Sequence, residues 1–247
     1  MTERQTHMTL VEHLDELRTC LLRSLAGLAA AMAVCLVFAG WGLRLLQRPY
    51  VIVMTRLGQP TELRVLSATA GFMMYMKVAL IAGLIVASPW IFYQVWTFVA
   101  AGLYPREKRL TMRAVPFSAG LFVAGAMFFL LVVAVPIMEF FLRFNQHLGL
   151  RNDLTLNNHV NMMISMMLIF GLAFQLPVAV GILTGLGVIE PETFARHRRY
   201  VIVGLFVLAA LVTSPSPVDQ VLLALPMWGL FELSVWVARL RKRTVRS

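Results

Sequence analysis

Ala114-Val-Pro-Phe-Ser-Ala-Gly-Leu-Phe-Val-Ala-Gly-Ala-Met-Phe-Phe-Leu-Leu-Val-Val-Ala-Val-Pro-Ile137 runs for 24 residues without a charged side chain. As a helix at about 1.5 Å per residue it reaches about 36 Å, enough to cross the roughly 30 Å of hydrocarbon in a bilayer. A transmembrane strand would alternate polar and apolar residues, and this run does not. Similar runs lie on both sides of it. The first span is read from Leu21 to Leu43, the second from Gly71 to Ala101 with Pro89 in its middle, and the fourth from Met162 to Leu186 with Pro177 inside it. Two shorter runs follow, Tyr200 to Val212 and Val218 to Val237, parted by Thr213-Ser214-Pro215-Ser216-Pro217. The fold expected is an all-α membrane protein, a bundle of six transmembrane helices whose last two spans are short. The whole chain, 1–247, reads as one membrane domain without an internal repeat.

Composition agrees with a bilayer as the solvent. Of the 247 residues, 59% are hydrophobic and 14% charged, and the mean hydropathy is +0.76. A soluble domain of this length needs more polar surface. The formal net charge is +10. In a soluble protein that excess would suggest nucleic acid. Here it belongs to loops beside anionic lipid, and no nucleic-acid partner is expected. Fifteen Lys and Arg fall in the segments that include both termini, the loop from Tyr104 to Arg113 and the loop from Glu190 to Arg199. Six fall in the loops after the first and third spans, read as Arg44 to Ala70 and Met138 to Asn161, and Lys77 lies within the second span. By the bias of positive charge toward the inside, both termini are cytoplasmic.

The ends are polar. Thr9-Leu10-Val11-Glu12 fits a capping box, so a helix should start at Leu10. Leu10, Leu14, Leu17 and Leu21 then form an apolar stripe opposite Glu12, Asp15, Glu16 and Thr19, which makes residues 1–20 an interfacial amphipathic helix leading into the first span. Residues 239–247 form a basic cytoplasmic tail. No short apolar segment precedes a small-residue cleavage site, so no cleavable signal peptide is expected. Cys20 and Cys35 are about 22 Å apart on one helix, too far to bridge, and read as small apolar fillers.

Catalytic signatures are missing: there is no His-Glu-x-x-His, no Gly-x-Ser-x-Gly and no glycine-rich phosphate loop. His13-Leu-Asp-Glu16 has the wrong spacing for two zinc ligands on one helix face. The expectation is a protein that is not an enzyme and holds no metal or cofactor. What remains is unusual charge. Residues 1–18 carry four acids and two bases in a strongly basic chain, and Glu107 stands among Arg106, Lys108 and Arg109. On charge alone the ordinary reading is solvated, locally paired charge; the sharper one is a docking site for a cationic ligand. Gln175, deep in the fourth span, has two equal readings, a bond to a neighbouring helix or a contact for a partner helix. A small-solute transporter would show repeated halves and paired buried charges, and neither is legible. An intramembrane protease would need a nucleophile or paired aspartates.

Five stretches then resemble one family. They are His13-Leu-Asp-Glu-Leu-Arg18, Tyr93-Gln-Val-Trp-Thr-Phe98, Leu103-Tyr-Pro-Arg-Glu-Lys-Arg109, Phe174-Gln-Leu-Pro177 and Leu223-Ala-Leu-Pro-Met-Trp-Gly-Leu-Phe-Glu232. In this order they are similar to TatC, the multi-span subunit of the twin-arginine protein translocase. The resemblance implies a receptor for twin-arginine signal peptides on folded precursors, in the bacterial cytoplasmic (inner) membrane. It implies single-span partners, TatA and TatB, several copies in a complex, and transport driven by the proton-motive force. Glu16 and Glu107 match the family's signal-peptide glutamates. His13, Leu17, Arg18, Phe98, Tyr104 and Arg109 join them as the expected signal-peptide surface. Gln175, Thr213 and Gln220 are the expected contacts for partner helices. The chain departs from the family's usual pattern at Cys20, where arginine is common, at Gln175, where glutamate is common, and at Arg199 and Ser216, where proline is common.

Overall fold

The structure is a computed structural model that describes residues 10–103, 105–150, 152–188, 196, 198–212, 220–221, 224–233 and 235–236. Within these ranges, the side chains of residues 10, 105–107, 110, 205 and 208–212 lie outside the description. Among the described residues every regular element is a helix, and the one β pairing is an isolated bridge between Arg64 and Thr155.

Helix α1 runs from Leu10 to Arg56 without a break, 47 residues. At about 1.5 Å per residue it is about 70 Å long, twice the thickness of the hydrocarbon, so it projects beyond the membrane. The expected capping residue, Thr9, lies outside the described residues. The loop expected from Arg44 does not begin there. The helix continues past Pro49 and stops at Arg56, where Gly58 takes the left-handed conformation (φ 64°) and the Gln59 N–H bonds back to the Met54 carbonyl at 3.0 Å. That is a glycine-capped helix end, and only glycine adopts this conformation without cost. Charged residues after Leu43 mark the edge of the hydrocarbon, and the helix outlasts it.

Helix α2 spans Ala70–Ala101 and carries Pro89 inside it. Proline leaves the carbonyl four residues back without its donor. The Ser88 hydroxyl donates to that carbonyl, Ile85 O, at 2.8 Å. Helix α3, Pro105–Phe128, passes through a π-helical turn, Phe129–Val133, into α4, Ala134–His147. The wide turn lies where the Pro136 ring would press on the Val132 carbonyl, a common setting for such a turn. The second loop, expected from Met138, therefore begins only after His147. Glu139 did not end the helix because Arg143, one turn on, binds it at 2.7 Å and Arg56 of α1 binds it at 2.9 Å.

The fourth expected span is two helices, α5 from Leu156–Ala173 and α6 from Leu176–Gly185, interrupted at Phe174 and Gln175 just ahead of Pro177. Helix α7, Arg198–Val212, has 15 residues, and residues 224–233 are helical. Among the described residues four helical stretches, Val11–Arg56, Ala70–Ala101, Thr111–His147 and Leu156–Gly185, are long and apolar enough to cross a membrane.

Lipid offers apolar side chains the same environment as protein, so helices associate here through close packing and buried hydrogen bonds. α1 lies against α2, α2 against α3, and α3 against α5. A Cβ added to Gly83 of α2 would meet the backbone of Met32 on α1 at 2.8 Å, so these two helices touch backbone to backbone. The core gathers at one end, where Tyr50 and Met54 of α1, Met74 of α2, Leu142 of α4 and Met163 and Phe170 of α5 are all buried. Over that core the two loops are clasped. The Leu156 N–H reaches Arg64 O at 2.9 Å, and Asn152 donates to the Leu142 carbonyl at 3.1 Å. Buried His159 bonds the Leu46 carbonyl beside the opening that Pro49 leaves in α1. A smaller buried cluster, Ala114, Val178 and Ile182, packs with Trp96, Leu121 and Leu186. Cys20 and Cys35 are both buried and unpaired, as fillers should be.

Candidate functional site

His13, Glu16 and Cys20 follow each other at three and four residues, so one face of α1 carries all three. That face turns toward α2. The His13 ring stacks on Phe98 with centroids 4.4 Å apart, Cys20 is buried, and Glu16 between them is half-buried. Leu17 and Arg18 point to the outside. The expected two-sided division of this helix is thus incomplete, because Glu16 leaves the solvated side and joins the packed one. The Glu16 carboxylate has a thiol from Cys20 at 3.9 Å, a long bond from a weak donor, and no ion pair among the described residues. An arginine at position 20 would reach it one helical turn away.

The other half of the site follows from the end of α2. Gly102 and Leu103 turn the chain back with N–H bonds to the Val99 and Ala100 carbonyls, both 3.3 Å. Pro105 then opens α3, the first-turn position that suits its fixed backbone and missing donor. Residues 105–109, expected as a loop, are therefore the first turn of a helix. Glu107 is the third residue of α3, at the positive end of the helix dipole. Its side chain, and all of Tyr104, lie outside the described residues. Lys108 and Arg109 are exposed. Three residues join α2 to α3, and His13 sits on Phe98, so the turn bearing Glu16 and the turn bearing Glu107 lie at the same end of the protein.

The second expected group is further from its assigned role. The Gln175 amide donates to the Ser118 carbonyl of α3 at 3.0 Å, and the Ser118 hydroxyl accepts from Trp96 of α2 at 2.8 Å. This chain of bonds ties three helices beside the interruption between α5 and α6. Gln220 is helical and half-buried, and Thr213 lies outside the described residues. Lys77 and Glu232 also find partners. Lys77 donates to Asn161 at 2.9 Å, and Glu232 pairs with Arg198 at 2.6 Å. Sequence reading named Gln175, Lys77 and Glu232 but not the residues that meet them. An indole N–H in an apolar helix was a usable signal for Ser118, since such a group needs an acceptor.

Comparison with known proteins bears on the family and the fold. The TatC family model, described as Sec-independent protein translocase protein (TatC), matches residues 12–226. A Sec-independent protein translocase protein TatC from Carboxydothermus hydrogenoformans is 33% identical over 236 residues, 95% of this chain and 94% of that protein. TatCy from Bacillus subtilis is 31% identical over 97% of this chain and 92% of its own length. A crystal structure of the twin arginine translocase receptor TatC superimposes with a TM-score of 0.79 at 33% identity, covering 93% of this chain and 99% of that one. A second crystal structure of that receptor, in DDM, gives a TM-score of 0.80 over 92% of this chain. With its several long apolar helices and a family match that covers most of its length, the chain belongs to the TatC family of Sec-independent protein translocase proteins.

Proposed function

We propose that this chain is the signal-peptide receptor and core subunit of a twin-arginine translocase, binding precursors through Glu16 and Glu107. The observation that carries the reading is Glu16 itself. Its carboxylate is half-buried, lacks an internal cation among the described residues, and stands on the face that His13 and Phe98 anchor, at the end where α3 brings Glu107. Two carboxylates at one end suit two adjacent guanidinium groups, each of which forms a two-pronged bond to a carboxylate. Leu17, Arg18, Tyr104 and Arg109 complete the surface. The deciding experiment is precursor binding after Glu16→Gln and Glu107→Gln.

The rest of the proposal concerns the assembly. The whole chain forms one six-span unit of the bacterial inner membrane with both termini in the cytoplasm. Reporter fusions at Gly58, Asn152 and Ser216 should then report the outside, and fusions at Arg106 and His197 the inside. Inside signals at Gly58 and Asn152 would overturn that orientation. With TatA and TatB, and in several copies, the chain exports folded precursors using the proton-motive force. Gln175, Thr213 and Gln220 form the polar level where partner helices dock.

Gln175→Leu tests that last point. Hydrogen bonds between membrane helices are worth roughly 0.6 to 2 kcal/mol, so partner crosslinking at Thr213 and Gln220 should fall about three- to thirty-fold while signal-peptide binding persists. Lowered thermal stability with unchanged crosslinking would assign Gln175 to its bond with Ser118 alone. The interruption between α5 and α6 is also a feature of small-solute transporters. Here Gln175 spends its amide on Ser118, and the family match favours the receptor.

A further inference from the structure

Six arginines fall in the segments after the first and third spans, and three of them have ion-pair partners. Arg56 and Arg143 bind Glu139, and Arg64 binds Asp153 at 3.5 Å. Arg44 and Arg48 differ. Both are exposed, and neither has an ion-pair partner among the described residues. They sit one turn apart on α1, where like charges repel. No Asp or Glu occurs from Leu17 to the end of that helix, and Glu62 of the following loop lines a separate cleft with Gln47 and Val51.

Their height in the membrane follows from the sequence. Residues 24–43 separate Arg23 from Arg44 with no charge between them. That length is about 30 Å of helix, the thickness of the hydrocarbon. Arg23 therefore marks the interface on the Glu16 side and Arg44 marks the opposite one, with Arg48 about 6 Å further out. Trp41, one turn inward and 62% exposed, sits at the depth where indoles gather. Trp41, Arg44, Leu45 and Arg48 line one cleft of about 220 Å³.

We propose that Trp41, Arg44, Leu45 and Arg48 form a binding site for an anionic phospholipid in the leaflet opposite the Glu16 face. The two guanidinium groups hold the phosphate, whose oxygens match their paired donors. Trp41 and Leu45 pack against the glycerol and the upper acyl chain. The bound phosphate cancels the repulsion between the two arginines. A free phosphate ion carries at least as much negative charge but gains nothing from the apolar half of the cleft.

The test is titration of the full-length protein in neutral detergent with dioctanoyl-phosphatidylglycerol, read by native mass spectrometry. Arg44→Gln with Arg48→Gln should raise the apparent Kd about tenfold or more and leave the melting temperature unchanged. Arg23→Gln, at the other interface, should change it less than about twofold. Millimolar inorganic phosphate should fail to displace the lipid, and dioctanoyl-phosphatidylcholine, whose choline cation offsets its phosphate, should bind the parent more weakly than dioctanoyl-phosphatidylglycerol does. The pair Arg44→Lys with Arg48→Lys keeps both charges and should weaken binding about threefold through loss of the planar forks. Parent-like lipid binding by either double variant would overturn the site. Displacement by inorganic phosphate at the lipid's own concentration would overturn its assignment to lipid.

Discussion

Replacing Glu16 and Glu107 together by glutamine should nearly abolish binding of a twin-arginine precursor, with each single change costing about tenfold. Charge-assisted hydrogen bonds are worth about 1.5 to 3 kcal/mol where water is partly excluded, and exposed pairs less than about 1. Half-buried Glu16 falls between these limits, and about 1.4 kcal/mol is tenfold in affinity. Glutamine keeps size and polarity but removes the charge, so folding should be spared. The loss should be larger for an Arg-Arg signal than for a Lys-Lys one, because lysine offers a point charge without the planar fork. Added salt should reproduce part of it. Arg18, Lys108 and Arg109 lie close in sequence to the acids and should repel loosely placed cations, so that a well-fitted pair is selected. Cys20 sharpens the case. One turn from this glutamate the chain has a thiol at 3.9 Å and not a cation, so under this account the carboxylate stays available to a ligand.

Gly125→Leu should destroy the packing of α3 on α5. A Cβ at Gly125 would lie 2.6 Å from the Phe170 carbonyl oxygen and 3.0 Å from the Gly171 Cα, backbone atoms that cannot rotate away. From the other side, a Cβ at Gly171 would lie 2.7 Å from the Phe122 ring. Forcing extra atoms into a packed core costs about 1 to 3 kcal/mol, and more where backbone must move. The upper figure corresponds to a melting temperature about 6 to 12 °C lower in a chain of this length. Gly120→Leu is the control, because a Cβ there meets nothing within 4 Å. It should shift melting by less than about 2 °C. Equal melting of the two variants would show that α3 and α5 do not meet at this glycine pair.

The helices were legible because the bilayer enforces them. A run such as Ala114 to Ile137 has no other way to satisfy its backbone in hydrocarbon. Their ends were less legible. Charge marks the edge of the membrane, not the end of a helix, so α1 outruns Leu43 to Arg56 and α4 outruns Ile137 to His147. What carries them on is tertiary, the binding of Glu139 by Arg143 and Arg56. Pro105 could have been read as the opening of α3, since first-turn proline is common. The interruption at Gln175 was visible only as Pro177, and hydropathy does not separate a kink from a break. Of the site, charge alone favoured ordinary solvated acids, and the family resemblance singled out Glu16 and Glu107. The stack of His13 on Phe98 joins residues 85 apart in sequence, a distance that periodicity does not reach.

The central claim is that precursors dock at the end of the protein that carries Glu16 of α1 and the start of α3. Site-specific crosslinking tests it most directly. A photoreactive residue is placed in turn at Leu17, Tyr104, Gly58 and Asn152, and the assembled translocase is offered a radiolabelled twin-arginine precursor. The account predicts adducts from Leu17 and Tyr104, lost when the precursor's arginine pair becomes lysine, and none from Gly58 or Asn152. Adducts that form at Gly58 or Asn152 while Leu17 and Tyr104 stay silent would contradict it.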